Sequence, residues 1–173
     1  TRDLAVRCHP SRRDEPHGVI NTLAGWAASG ASLEGLTSLE GLARLAPLVP
    51  YPVAVAAVHL STTLADIEGD RAAGLRTSGV VLGRGPGLAL SALLMAGAVS
   101  ASAITGNSPA LYASAVSLIF FVYALISERK RVSGAGILLP AKVSTLAFSV
   151  AACALFPAYL PFAAIVVIVT RVY

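Results

Sequence analysis

The sequence predicts an all-α fold, a multi-pass transmembrane helical bundle with about six spans, and three observations carry that prediction. Hydrophobic residues make up 55% of the 173-residue chain and charged residues 13%, whereas a soluble domain carries about 25% charge. Mean hydropathy is +0.74. The apolar residues fall into runs near the ~20 residues that cross a hydrocarbon layer, and polar residues collect between the runs. Residues 1–173 therefore read as a single transmembrane domain.

Taken in order, residues 1–17 are polar and basic, and Pro16 stops them before a first span at about 18–33. That span is rich in Gly, Ala and Ser, which suits close helix contact; it also carries Trp26 and Asn21. A polar connector leads to a second span at about 45–65, with Pro47, Pro50 and Pro52 near its start, where proline is tolerated close to an interface. A long polar loop is expected over 66–87, closing with Gly83-Arg84-Gly85-Pro86-Gly87. The third span, about 88–104, spaces Ala92, Ala96 and Ser100 four apart as a packing face. A turn at Gly106-Asn107-Ser108-Pro109 precedes a fourth span at about 110–127. A fifth, about 136–156, contains Pro140 and Lys142, and a short sixth follows at about 162–170.

The basic residues orient these spans. Segments 1–17, 66–87 and 128–135 hold four, three and three Lys and Arg, while 34–44, 105–109 and 157–161 hold one, none and none. This alternation is the positive-inside pattern, with both chain ends cytoplasmic. It accounts for the net charge of +4 as topology and anionic-lipid contact, and it removes the argument for nucleic-acid binding. Cys8 and Cys153 show neither metal-ligand spacing nor a disulfide framework. Gly83 to Gly87 lacks the Lys-Ser/Thr ending of a phosphate-cradling loop.

One stretch stands apart. Asp66, Glu68, Asp70, Arg71 and Arg76 lie within eleven residues of an otherwise apolar chain. On a helix, Asp66 and Asp70 leave the same face one turn apart, a usable geometry for Mg²⁺, which takes one or two carboxylates plus substrate phosphates. Gly69 and Gly74 are expected to allow close backbone approach. His59, Thr62, Thr63, Asp66 and Asp70 form one polar stripe at helical spacing, and a polar stripe in a span is a functional-site hypothesis. A solvated, arginine-balanced loop is the competing reading of the acids. His59 and Asn21 serve equally as bundle hydrogen-bonders or substrate contacts, and Thr62 and Thr63 can bond back to helix carbonyls. Lys142, read as two turns into its span, either snorkels to the interface or neutralises a phosphate. Arg71 and Arg76 are the nearer phosphate candidates.

Asp66-Ile67-Glu68-Gly69-Asp70-Arg71-Ala72-Ala73-Gly74-Leu75-Arg76-Thr77, then Val80-Val81-Leu82-Gly83, resembles the second aspartate-rich motif of the UbiA superfamily of intramembrane prenyltransferases. The pattern is D-x-E-G-D-[RK]-x-x-G-[ILK]-x-[TS], followed by an apolar run and Leu-Gly. The Glu-Gly-Asp form leans toward the homogentisate and chlorophyll-type branches. The resemblance implies a nine-helix fold, of which this chain would supply the fourth to ninth helices. It also implies Mg²⁺-assisted ionisation of a polyprenyl diphosphate, with attack of the allylic carbocation on a hydrophobic, often aromatic, acceptor. Asp66 and Asp70 would be the catalytic metal ligands, with Arg71, Arg76, Lys142, His59, Thr63 and Asn21 around the substrates. The expected setting is a bacterial inner membrane with the acids on its cytoplasmic side, the bilayer and further helices of the same protein being the partners.

Two other readings compete. CDP-alcohol phosphotransferases also pair Asp-x-x-x-Asp, but need Asp-Gly and Ala-Arg ahead of it, where this chain has His59-Leu60-Ser61-Thr62-Thr63-Leu64-Ala65. A transporter or structural bundle with an acidic ion site favours mid-membrane acids and repeated halves with broken helices, and no internal repeat is visible. The superfamily's first motif, N-D-x-x-D-x-x-x-D, is absent, and Asp3 and Asp14 do not replace it. The sequence is accordingly expected to be the later part of a longer chain. The 173 residues alone, incubated in bilayers with radiolabelled prenyl diphosphate and quinone precursors, should yield no prenylated product; robust transfer would overturn that expectation.

Overall fold

The computed structural model describes residues 45–129, 136–155 and 157–161, with Glu40, Ala43, Ala164 and Ile165. The first span with Asn21 and Trp26, the basic side chains at 129–131 and most of the sixth span lie outside the described residues. The elements are α1 (Pro50–Ala65), α2 (Ile67–Ala72), α3 (Ser78–Leu82), α4 (Arg84–Ile104), α5 (Ser108–Arg129) and α6 (Leu139–Leu155). Short 3-10 helices, Ala46–Leu48 and Pro157–Tyr159, flank them.

Proline marks the start of every long helix. Pro50 and Pro52 open α1, Pro86 lies in the first turn of α4, Pro109 in that of α5 and Pro140 in that of α6. First-turn N–H groups have no intrahelical acceptor, so a proline there removes no bond. This corrects the expected fifth span in one respect: Pro140 and Lys142 both belong to the first turn of α6, and Lys142 is not two turns inside it.

Ala46–Ala65, Arg84–Ile104 and Ser108–Glu128 are each long and apolar enough to cross a membrane, while Leu139–Leu155 is shorter. Leu93 is 69% exposed and Ile119 66%, a pattern suited to hydrocarbon rather than water. The chain is an integral membrane protein. α1 packs on α4, α4 on α5 and α5 on α6, while α1 and α6 meet more lightly.

Lipid tails remove the hydrophobic drive for helices to associate, so close packing must hold the bundle. Ala54 and Ala57 of α1 meet Ala92, Met95 and Ala98 of α4 around a fully buried Phe121 from α5. The packing face of α4 is thus Leu88, Ser91, Ala92, Met95, Ala98 and Ser102. It differs from the Ala92-Ala96-Ser100 face expected from the sequence, since Ser100 is exposed. Ser61, Ser91, Ser102, Ser114 and Ser117 are buried, and each donates its hydroxyl to a carbonyl of the preceding turn at 2.7–3.0 Å. Those bonds offset the cost of placing hydroxyls in an apolar interior.

The expected long loop over 66–87 is largely helical. Only residues 73–77 and Gly83 separate α2, α3 and α4. α3 folds back onto the end of α1 so closely that a Cβ on Gly79 would run into the Thr63 carbonyl, and α4 starts so near that one on Gly87 would meet the Leu64 side chain. The expected close approach at Gly69 and Gly74 is not found, because open space surrounds both. Gly79→Ala should lower the thermal unfolding midpoint of the purified protein, overpacking against backbone costing about 1–3 kcal/mol. Gly69→Ala, in open space on α2, should leave the midpoint in place.

The acid-rich end of the bundle as candidate functional site

Leu64 and Ile67 are both buried, at 0% and 4% exposure, and join Leu88, Ala124 and Ile137 in one apolar cluster. Between them α1 breaks. Asp66 occupies a bend, with φ −99° and ψ 7°, and its side chain is exposed. The Asp66 carbonyl still accepts from the Asp70 N–H at 2.8 Å, so the i,i+4 relation survives although the two carboxylates no longer ride one continuous span.

α2 ends in a Schellman turn. The Gly74 N–H donates to the Arg71 carbonyl at 3.1 Å and the Leu75 N–H to the Asp70 carbonyl at 2.8 Å. Gly74 has φ 70°, which glycine adopts without a Cβ penalty; that is its role here. Thr77 then does two jobs. Its hydroxyl donates to Asp70 Oδ2 at 2.8 Å, and the same oxygen accepts from the Val80 N–H at 3.4 Å, capping α3. Asp70 is half-buried and held by this bond, whereas Asp66 is open. Glu68 points elsewhere and accepts from Arg84 Nη2 at 3.0 Å. With side chains 37% and 81% exposed, that pair is worth little energetically, but it draws Glu68 toward the start of α4.

Arg71, in the last turn of α2, and Arg76, in the connection that follows, are both exposed. His59 is exposed on α1, and Thr62 and Thr63 bond back to the His59 and Leu60 carbonyls at 2.7 and 2.8 Å. The polar stripe thus runs along the face of α1 turned away from α4 and breaks at the bend. Lys142 is exposed in the first turn of α6. The structure joins Asp70 to Thr77 and records no bond from His59 or Lys142 to the aspartates.

Among the described residues no three His, Cys, Asp or Glu side chains converge as a metal-holding group. Two carboxylates are hard oxygen donors, and Mg²⁺ commonly takes one or two from protein and the rest from phosphate and water. Asp66 and Asp70 fit that share of a site.

An apolar cavity lies between α1 and α6, reaching along α1 from Tyr51 to Val58. Tyr51, Val55 and Val58 of α1 and Ser144, Phe148 and Ala152 of α6 wall about 340 Å³. A wider groove of about 530 Å³ between α5 and α6, walled by side chains such as Tyr112, Leu146 and Val150, belongs to the outward apolar surface. Sequence reasoning missed the α1–α6 cavity, the Arg84–Glu68 pair and the role of Thr77. Two signals were available for Thr77: its place at the [TS] end of the aspartate-rich pattern, and a threonine ahead of a short apolar run, an N-cap position.

A helical membrane bundle with an open Asp66 and a Thr77-held Asp70 at one end of α1, and an apolar cavity further along α1, defines a class of intramembrane protein with polar groups at the rim of an apolar interior. The model of the UbiA prenyltransferase family matches residues 17–146, and the chain belongs to that family. Comparisons with curated proteins and with solved structures found no match. Thr77→Val, which removes the hydrogen bond to the Asp70 carboxylate, should lower prenyl transfer by the full-length protein about tenfold, the scale of one bond to a charged group. Thr77→Ser, which keeps the hydroxyl, should restore most of the rate.

Proposed function

We propose that this protein transfers a polyprenyl group from its diphosphate to a hydrophobic, often aromatic, acceptor of quinone, tocopherol or chlorophyll-type lipid synthesis, and that Asp66 and Asp70 form one half of its diphosphate site. The observation that carries the reading is Asp70 fixed by Thr77 next to the open Asp66 at the end of α1. Family membership supports the reaction class.

Asp66 and Asp70 would hold Mg²⁺, which when bound neutralises the diphosphate as its bond to the allylic carbon breaks. Arg71 at the end of α2 and Arg76 just beyond it add positive charge for the leaving oxygens. Thr77 keeps the Asp70 carboxylate in one orientation, so little reordering is needed when substrate arrives. The apolar interior keeps water from the carbocation until the acceptor attacks. The Lys and Arg distribution supports a cytoplasmic location for the acids. The other half of the site is assigned to an N-D-x-x-D motif, which these 173 residues do not contain.

Prenyl transfer by the full-length protein, followed with a radiolabelled prenyl diphosphate and quinone precursors, tests the assignment. Asp66→Asn and Asp70→Asn should each cut turnover by about a hundredfold or more, with the unfolding midpoint retained. Unchanged turnover would remove these residues from the chemistry.

A further inference from the structure

One buried hydroxyl departs from the pattern that the other buried serines keep. Ser61, Ser91, Ser102, Ser114 and Ser117 all return a hydrogen bond to their own helix. Ser144 is 0% exposed, yet its Oγ has no hydrogen-bond partner. Its neighbour Thr145 does bond back, to the Ala141 carbonyl at 2.9 Å. Leaving a buried hydroxyl unpaired is costly, and Ser144 lines the cavity between α1 and α6.

The rest of that cavity is apolar and partly aromatic. Tyr51 and Phe148 meet edge to face, with centroids 6.0 Å apart and planes at 63°, and Tyr51 is steadied by the Asn107 side-chain amide, which donates to its hydroxyl at 3.3 Å. About 340 Å³ falls in the range of small-molecule sites, roughly 300–1,000 Å³, which combine apolar walls with a few placed polar groups. A polyprenyl chain offers only carbon and hydrogen and would leave Ser144 unpaired. A ring bearing an oxygen would not.

We propose that this cavity is the acceptor site. It takes a flat aromatic ring whose oxygen hydrogen-bonds Ser144 Oγ while the ring packs against Tyr51 and Phe148. Naming the ligand an acceptor rests on the prenyl-transfer reading; the site for a ring with one oxygen does not. Ser144 is then a specificity-determining residue.

The test is equilibrium binding to the full-length protein in nanodiscs, corrected for partition into empty nanodiscs. The probes are 1-naphthol and 1-methylnaphthalene, which share a shape and differ in the hydroxyl. The native protein should prefer 1-naphthol by about tenfold, the scale of one net hydrogen bond. Ser144→Ala should bring the preference close to one while 1-methylnaphthalene keeps its affinity, which also shows that the cavity is intact. Val55→Trp, at a wall position 48% exposed, should abolish binding of both probes. A preference unchanged by Ser144→Ala, or binding unchanged by Val55→Trp, overturns the proposal. Neither probe carries a diphosphate and no turnover is read, so failure here leaves Asp66 and Asp70 in their roles, and failed prenyl transfer leaves this site standing.

Discussion

Burial of Ile67 is the contact on which the acid-rich end depends. Its cluster draws Leu64 from α1, Leu88 from α4, Ala124 from α5 and Ile137 from the lead-in to α6. One side chain in a short polar segment thereby shares a cluster with three of the long helices and the lead-in to the fourth. Without it, α2 would be a six-residue helix too short to hold itself together, since isolated helices below about 12–15 residues are marginal in water. With it, Asp66 on one side and Asp70 on the other are placed relative to the bundle, and Gly79 against the Thr63 carbonyl closes the loop back over the same end. The backbone that carries the carboxylates is placed by an apolar anchor, and Thr77 then orients the Asp70 side chain.

The fold class was legible because run length and charge depletion are large effects in a membrane chain. The site was legible for a related reason: five charged residues in such a chain stand out whatever their fold. The local structure between 66 and 87 was not. α2 and α3 are six and five residues long, under two turns each, so no helical period can emerge against glycine-rich composition. Glycines show the same limit. Gly69 and Gly79 are alike in sequence, yet only the second faces backbone across an interface, and that is a tertiary fact. The packing face of α4 was misread because small residues occur all round it, leaving spacing alone unable to choose a side. Ser144 could not be singled out either, since what distinguishes it from Ser117 is a bond it fails to make.

The bundle is uneven around its circumference. α4 and α5 carry its closest contacts, and α1 and α6 meet more lightly. Tightness follows residue size: Ala54, Ala57, Ala92 and Ala98 let α1 and α4 approach, whereas Tyr51 and Phe148 hold α1 and α6 apart with an edge-to-face pair. The looser seam is where the internal volume lies. Rigid packing on one side and a lined gap on the other divide the work between frame and chamber.

The length of α6 carries one further consequence. Its 17 residues give a rod of about 25 Å at ~1.5 Å per residue, while the 21 residues of α4 and the 22 of α5 reach about 31–33 Å. A hydrocarbon layer near 30 Å matches the longer pair and overshoots the shorter helix by several ångströms. Lipids flanking α6 must therefore compress, or residues beyond it must complete the crossing.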